Sequence, residues 1–450
     1  MPNPLVLVHG YGSSGAAFSK WNAALQAAGR DVKDISIGNY VTLNNEVNVD
    51  DIAHGFDFRL REKGLAGKPF DAIVHSTGML VMRSWLTASN TAQSRRGQLQ
   101  HLVGLAPATF GSPLAAKGRS LLGRIFMGNK DPGPDFLDSG DLVLGNLELG
   151  SEYTWNLAHR DLINTPLYGP NNDTPYVFIF DGTSDYGTLA EIFLKAEQEG
   201  TDGVVRWSGV ALNTRKITLN LGVPKGSIQS PDWGSTLLDI PLIPVPGLNH
   251  NQIMSEPPQE LIDLVLKALQ VNSKDDFEKF HQQDVANSEL VQRAKVQLDK
   301  DQWQQFVVHA MDSRGDGITD YSVEIVAKGE NDEVSLAKFE EDVHPYAADT
   351  SFRCFHVRLT GLKEKIGARK LFARIIASTG TKLVSYQGYG SGKEEASPEF
   401  GPVDLDLSDY DGTQPGKPSI FYPFTTTLIE IILNREPAPP VDIFTWLPEG

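Results

Sequence analysis

Serine chemistry starts from Ser76, in the stretch DAIVHSTG (Asp71 to Gly78). A serine hydroxyl attacks a carbonyl only when a base lies within hydrogen-bond reach and an acid orients that base. The apolar run Ala72, Ile73, Val74 meets His75-Ser76-Thr77-Gly78, and Leu80, Met82, Trp85 and Leu86 follow at helical spacing. The spacing predicts a strand, a tight turn and a helix, with Ser76 at the corner. A nucleophile elbow needs that arrangement, with small residues on either side to relieve crowding. Gly78 supplies one small residue, while Val74 stands where the other is usual. A Ser-x-Gly turn alone is also an ordinary polar turn, so the rest of the chain must supply the partners.

His159 and His250 both follow Ser76 in the same half of the chain. His159 lies in the helical pattern TWNLAHRDL. His250 lies in PVPGLNHNQIM, a loop between an apolar strand and the next helix, and the chain order Ser, Asp, His selects it as the base. The acid then falls between Ser76 and His250. Asp181 and Asp185 (FIFDGTSDYG) follow a strand directly, and Asp202 (GTDGVVRWSG) opens a turn into a short apolar run. Asp-Gly is also a common turn pair, which gives Asp202 a second explanation.

These residues need a scaffold. Up to about residue 270, short apolar runs alternate with helical patterns: LVLVHG (5–10), DAIVHS (71–76), HLVGLAP (101–107), YVFIFDG (176–182) and IPLIPVPG (240–247) as strands, with helices over 16–28, 79–88, 189–197 and 258–270. Near-continuous apolar strands suit a mostly parallel sheet covered on both faces, an α/β fold with its ligand site beyond the carboxyl ends of the strands. Residues 1–272 are therefore expected to form the first domain. Within it, 111–169 is an insertion whose Leu114, Leu121, Leu122, Ile125, Phe126 and Met127 could form an apolar face, either a lid or an extra packed layer.

From about residue 300 the period changes to two. QQFVVHAMD, YSVEIVAKG, SFRCFHVRLTG, KLFARIIAS, TKLVSYQG and TTTLIEIIL predict an antiparallel β-sandwich over 301–436. A polar helical stretch, 273–300, reads as a connector held by residues such as Phe277 and Leu290, and 437–450 reads as an extended tail. In DSRGDGITDY, Asp312, Asp316 and Asp320 recur every four residues, which is not EF-hand spacing and reads as a polar hairpin turn between strands, with metal binding the lesser alternative.

The 450 residues carry a formal net charge of −17. That disfavours nucleic acid and anionic membranes as partners, although an apolar patch could still make transient contact with a lipid interface. No run is apolar and long enough for a transmembrane segment. The start MPNPLVLVHG lacks the features of a signal peptide, so the expected location is cytoplasmic, or secreted with a leader not in view. The single cysteine, Cys354, lies in a strand-like run and reads as a buried structural residue.

LVLVHGYGSSG, VHSTG, GLAPATFGSP, TDGVVRWSG and LNHNQIM, in that order, resemble the α/β-hydrolase serine esterases, and more closely the bacterial true-lipase branch, over residues 4–270. The resemblance implies Ser76 as nucleophile, His250 as base and Asp202 rather than Asp181 or Asp185 as acid. It implies an oxyanion hole formed by the backbone amides of Thr77 and Tyr11, with His9 and His75 as bracing residues. That branch often holds calcium through an aspartate just after the histidine; Asn251 and Gln252 stand here, and no metal or cofactor is expected. The implied activity is hydrolysis of lipid-like acyl esters by a lipase or esterase through an acyl-enzyme. The alternatives are a phospholipase, a polyester depolymerase, or an inactive hydrolase-fold binding protein.

Overall fold

The computed structural model describes residues 2–10, 15–35, 45–88, 95, 97–116, 140–164, 166–169, 174–184, 199–222, 227–229, 240–338, 343–387, 399–410 and 419–437. Tyr11, Asp185, the expected helix 189–197, most of the apolar face of the insertion and the tail 438–450 lie outside these residues.

The apolar runs of the first half become strands: Leu5–Val8 (β1), Val32–Ile35 (β2), Phe70–His75 (β3), Leu99–Leu105 (β4) and Tyr176–Gly182 (β5). Thr214–Asn220 (β6) and Ser227–Gln229 (β7) join a different sheet, and Leu242–Val245 (β8) returns to the first. The order is β2-β1-β3-β4-β5-β8, and each neighbouring pair is parallel. Every residue of β1, β3 and β5 is buried, as expected of strands covered on both faces. The edge strand β2, with its mixed sequence VKDI, carries too short an apolar run to stand out.

The helices are Ser19–Ala27 (α1), Val49–Glu62 (α2), Gly78–Thr87 (α3), Asp141–Leu147 (α4), Glu152–Ala158 (α5), Trp207–Val210 (α6), Gln252–Ser255 (α7), Gln259–Ala268 (α8), Lys274–Lys279 (α9), Glu289–Leu298 (α10) and Leu362–Ile366 (α11). Among them, α2 begins at Asn48, whose side chain accepts from the Asp51 amide while Asp51 accepts from the Asn48 amide. α8 turns Leu261, Ile262, Leu264 and Val265 inward. Among the described residues no helix is long and apolar enough to cross a membrane.

The second half forms Trp303–Asp312 (β9), Tyr321–Lys328 (β10), Glu333–Lys338 (β11), Val343–Pro345 (β12), Phe352–Arg358 (β13), Lys370–Ser378 (β14), Val384–Gln387 (β15), Glu399–Asp406 (β16) and Thr426–Pro437 (β17). One sheet runs β11-β10-β14-β16, antiparallel throughout. The other runs β12-β13-β9-β17-β6-β7, with β15 on β17. Side chains from both sheets share one core, including Phe306, Val308, Ile325, Leu371, Phe400 and Ile431. This is a sandwich. Cys354, on β13, is fully buried.

The chain divides differently from the expected boundaries. One compact unit holds residues 1–214, 238–302 and 424–426; the other holds 215–237, 303–423 and 427–450. The β6–β7 segment thus leaves the expected hydrolase domain for the sandwich, because Ile217, Leu219 and Leu221 are core residues there. The stretch 273–300 is not a connector but part of the first unit, with Phe277, Phe280, Leu290 and Val291 in that unit's core.

Candidate active site

Ser76 follows β3 and stands before α3 with φ 53°, a left-handed conformation rare for a residue with a side chain. The bonds around it fix that geometry. Its amide donates to Leu105 O, and its carbonyl accepts from Met79 N and Ala108 N. Gly78 explains how Val74 fits. A Cβ on Gly78 would fall 3.4 Å from Val74 Cβ and 2.9 Å from Val8 O, so the missing side chain on one flank makes room for the bulk on the other. The His9-Gly10 loop presses on the same point. A Cβ on Gly10 would fall 2.7 Å from Ser76 Cβ and 3.3 Å from Ser76 Oγ.

His250 and Asp202 meet directly. His250 Nδ1 lies 2.6 Å from Asp202 Oδ2, and both side chains are fully buried. The His250 amide also donates to Asp202 O at 3.1 Å, so main chain and side chain fix the pair twice. Asp202 keeps its turn role as well: its Oδ1 accepts from Val204 N at 2.9 Å and Val205 N at 2.8 Å. The turn aspartate and the histidine partner are the same residue, each oxygen serving one purpose. The elbow reaches the histidine loop through His75, whose Nε2–H donates to His250 O at 2.8 Å, with the two ring centroids 4.7 Å apart. Burial and the neighbouring His250 ring push the His75 pKa well below the ordinary histidine range, so His75 is a neutral brace.

The segment APATFGSP ties the two halves of the site together. Ala106, with φ 46°, donates to Phe180 O, and Thr109 Oγ1 to Val210 O at 2.6 Å. Phe110 N donates to Gly209 O and Ser112 Oγ to Val204 O. Ser76 and the Asp202 turn are thus held by one strut. Behind α3, Arg83 makes a fully buried two-pronged pair with Asp161 at 2.7 and 2.9 Å and donates to Thr109 O. Tyr168 Oη donates to Asp161 as well.

His159, the other candidate base, is placed elsewhere in the bonding: its Nδ1 lies 2.8 Å from Trp155 O, one turn back along the chain. Asp181 is the penultimate residue of β5, fully buried, beside Asp202 rather than in its place. Asn249 uses its Oδ1 to accept from Asn251 N and Gln252 N, while Gln252 Oε1 accepts from Asn249 N. Asn251, at the position where a calcium ligand would stand, precedes α7 without a side-chain cap bond, and among the described residues no group of three or more His, Cys, Asp and Glu could hold a metal ion. In the sandwich, Asp312 accepts from Arg314 N and Asp316 N and pairs with Arg435, a braced turn as its spacing suggests.

No family model and no curated protein matches the sequence. Solved structures do match. Phospholipase PlaB from Legionella pneumophila aligns over 99% of this chain and 96% of that one, at 22% identity and a TM-score of 0.78. The same phospholipase in complex with thio-NAD gives 0.77 over the same shares. The fold is that of the α/β-hydrolases. In this fold a catalytic serine stands after a strand of the parallel sheet, where β3 presents Ser76. Bacillus licheniformis lipase BlEst2 in its mature form aligns over 59% of this chain and 91% of that one, at 16% identity and a TM-score of 0.40.

Two supports of the site carried weak sequence signals. Gly10 was legible as part of a His-Gly loop, but its contact with Ser76 depends on the register of β1 against β3. Arg83 looks like a polar interruption in an apolar helix; its partner Asp161 is 78 residues away.

Proposed function

We propose that this chain is a serine carboxylester hydrolase acting on lipid-like acyl esters. The observation that carries the reading is the buried His250–Asp202 pair, bonded through His75 to the elbow that presents Ser76. Ser76 Oγ attacks the ester carbonyl as His250 Nε2 takes its proton, forming a tetrahedral oxyanion. The Thr77 amide at the start of α3 and the amide of Tyr11 stabilise that charge. His250 then protonates the departing alcohol, leaving an acyl-Ser76 ester. Water, deprotonated by the same imidazole, releases the carboxylic acid and restores Ser76. Asp202 holds the His250 Nδ1–H tautomer and offsets the positive charge of the imidazolium. A buried carboxylate with two backbone donors on one oxygen is well suited to keep the other oriented.

Within this class, a phospholipid is the favoured ester. The likeness to the Legionella phospholipase runs through the sandwich as well as the hydrolase unit, which a stand-alone esterase fold would not require. The test compares wild type with Ser76→Ala on p-nitrophenyl esters, phospholipid, triglyceride and polyester, with fluorophosphonate labelling alongside. The expected result is labelling at Ser76, loss of all hydrolysis in the alanine variant with unchanged circular dichroism, and highest wild-type turnover on phospholipid. Hydrolysis surviving in Ser76→Ala at the wild-type rate overturns the assignment.

A further inference from the structure

We infer that Asp181 is a positioning residue, a protonated carboxylic acid that donates a hydrogen bond to Asp202 and so tunes the His250–Asp202 pair. The inference rests on the reading of Ser76, His250 and Asp202 as the catalytic groups.

The geometry begins at the end of β5. Gly182, the next residue, is packed so tightly against the histidine loop that a Cβ there would fall 2.2 Å from Leu248 O. Ser184 N donates to Leu248 O, and Thr183 N to Val245 O. Trp207 Nε1, from just beyond the Asp202 turn, donates to Gly182 O at 3.0 Å. The strand end carrying Asp181 is therefore clamped between the Asp202 segment and the His250 loop.

Asp181 is 1% exposed and its carboxyl lies beside that of Asp202. Its Oδ1 accepts from Gly182 N at 2.9 Å. Its Oδ2 is fully buried and meets no donor. Two ionised carboxylates in contact would repel and leave that oxygen unsatisfied. One proton resolves both problems: carried by Asp181, it turns the unsatisfied acceptor into a donor aimed at Asp202. Asp202 is the better anion of the two, because it already receives two backbone N–H groups and the His250 Nδ1–H. Burial, with Asp202 beside it, pushes the Asp181 pKa well above the usual carboxylate range, in agreement. The titratable groups around this proton are Asp202, then His250 on the same carboxylate, and His75 with its ring tilted against that of His250.

The arrangement has a functional consequence. A neutral donor on Asp202 draws charge away from the oxygen facing His250 and weakens the pull on an imidazolium. The proton that His250 takes from Ser76 is then passed on to the leaving alcohol more readily. Asp181 therefore acts through Asp202 and touches no substrate.

The test measures the His250 pKa by NMR of isotope-labelled histidine in the full chain, for wild type, Asp181→Asn and Asp181→Ala. Asparagine has an N–H donor where the acid has its O–H. It is expected to keep the His250 pKa and kcat within about twofold of wild type. Alanine removes the donor and is expected to raise the His250 pKa by about half a unit to one unit, moving the acid limb of kcat/KM upward. It is also expected to lower kcat about 10- to 100-fold with little change in KM. Infrared difference spectra of Asp181→Asn against wild type should lose a protonated-carboxyl stretch at neutral pH. A fall of the His250 pKa in both variants would mean that Asp181 is an anion and overturns the inference, as does an unchanged pKa in Asp181→Ala. The NMR and infrared readings decide the matter whether or not ester hydrolysis is detected, so failure of the hydrolase reading is seen separately, as absent labelling of Ser76 in wild type.

Discussion

At the scale of single residues, the site is held by contacts that leave no room for added atoms. Gly10 is the sharpest case. An added methyl would stand 2.7 Å from Ser76 Cβ and 3.0 Å from His75 O, closer than real Cβ contacts come. Gly10→Ala must displace either the serine or the loop carrying the Tyr11 amide. A misplacement of about 1 Å near reacting groups costs roughly 100-fold, so kcat/KM on a p-nitrophenyl ester should fall by about that factor. His75 makes a second test. The folded chain holds it neutral, with a pKa well below its ordinary value of about 6.5. As pH falls below about 6.5 the unfolded chain takes up a proton that the folded chain refuses, so stability is full above that pH and is lost on acidification. One such proton contributes a slope of up to about 1.4 kcal/mol per pH unit. His75→Gln keeps a donor for His250 O and cannot titrate. Urea denaturation between pH 7 and pH 5 should show a shallower loss of stability in this variant than in wild type. That Ser76 stands at the corner between a strand and a helix was legible from the local pattern, and that Asp202 meets His250 from motif order and the family resemblance. The role of Asp181 was not, since a sequence cannot show which of two nearby carboxylates keeps the proton.

At the scale of elements, five of the six strands of the parallel sheet were legible because each carries a mainly apolar run, while VKDI was not, and the helix after the elbow was legible because Leu80, Met82, Trp85 and Leu86 repeat at its period. Less legible were the polar pieces that lock elements together over long sequence separations. The Arg83 pair with Asp161 pins α3 to the π-helical turn at His159–Ile163, and Arg83 also reaches the strut at Thr109. All of these groups are fully buried, so breaking the pair leaves a charge without water or partner. Arg83→Met should lower stability by about 3–5 kcal/mol, read as a reduced urea midpoint. Replacing both partners by apolar residues, as Arg83→Met with Asp161→Leu, should recover much of that loss, because no ion is left uncompensated. A double variant no more stable than Arg83→Met would show that the groups left behind, Tyr168 Oη and Thr109 O, matter more than the charge.

At the scale of the whole molecule, the change of period near residue 300 marked a second, all-β unit, but the boundary it suggested was incomplete. Thr214 to Asn220 reads as alternating residues inside a region of buried apolar strands, TRKITLN, and only long-range pairing reveals its sheet. Short alternating strands carry little information about which sheet they join, since register and partner are set by distant residues. The chain therefore builds its sandwich from a piece within the hydrolase half and from everything after Gln302, and returns Phe424 to Thr426 to the first unit. Cutting such a chain at the apparent boundary should not release a sound hydrolase domain. A fragment of residues 1–302 would carry Ile217, Leu219 and Leu221, at most 3% exposed in the whole protein, without the strands that cover them. Three uncovered aliphatic side chains forfeit roughly 5–9 kcal/mol of burial. The fragment would also lack Thr426, whose hydroxyl donates to Ser208 O and whose amide donates to Asn213 O on the segment leading from the Asp202 turn. It is expected to bind a hydrophobic dye, to self-associate on size exclusion and to melt well below the full chain. Changing Ile217, Leu219 and Leu221 to threonine in the fragment should reduce dye binding and association without restoring the melting temperature, because the Thr426 bonds are still missing. A monomeric 1–302 fragment that binds no dye and melts with the full chain would show that the hydrolase unit stands without the sandwich.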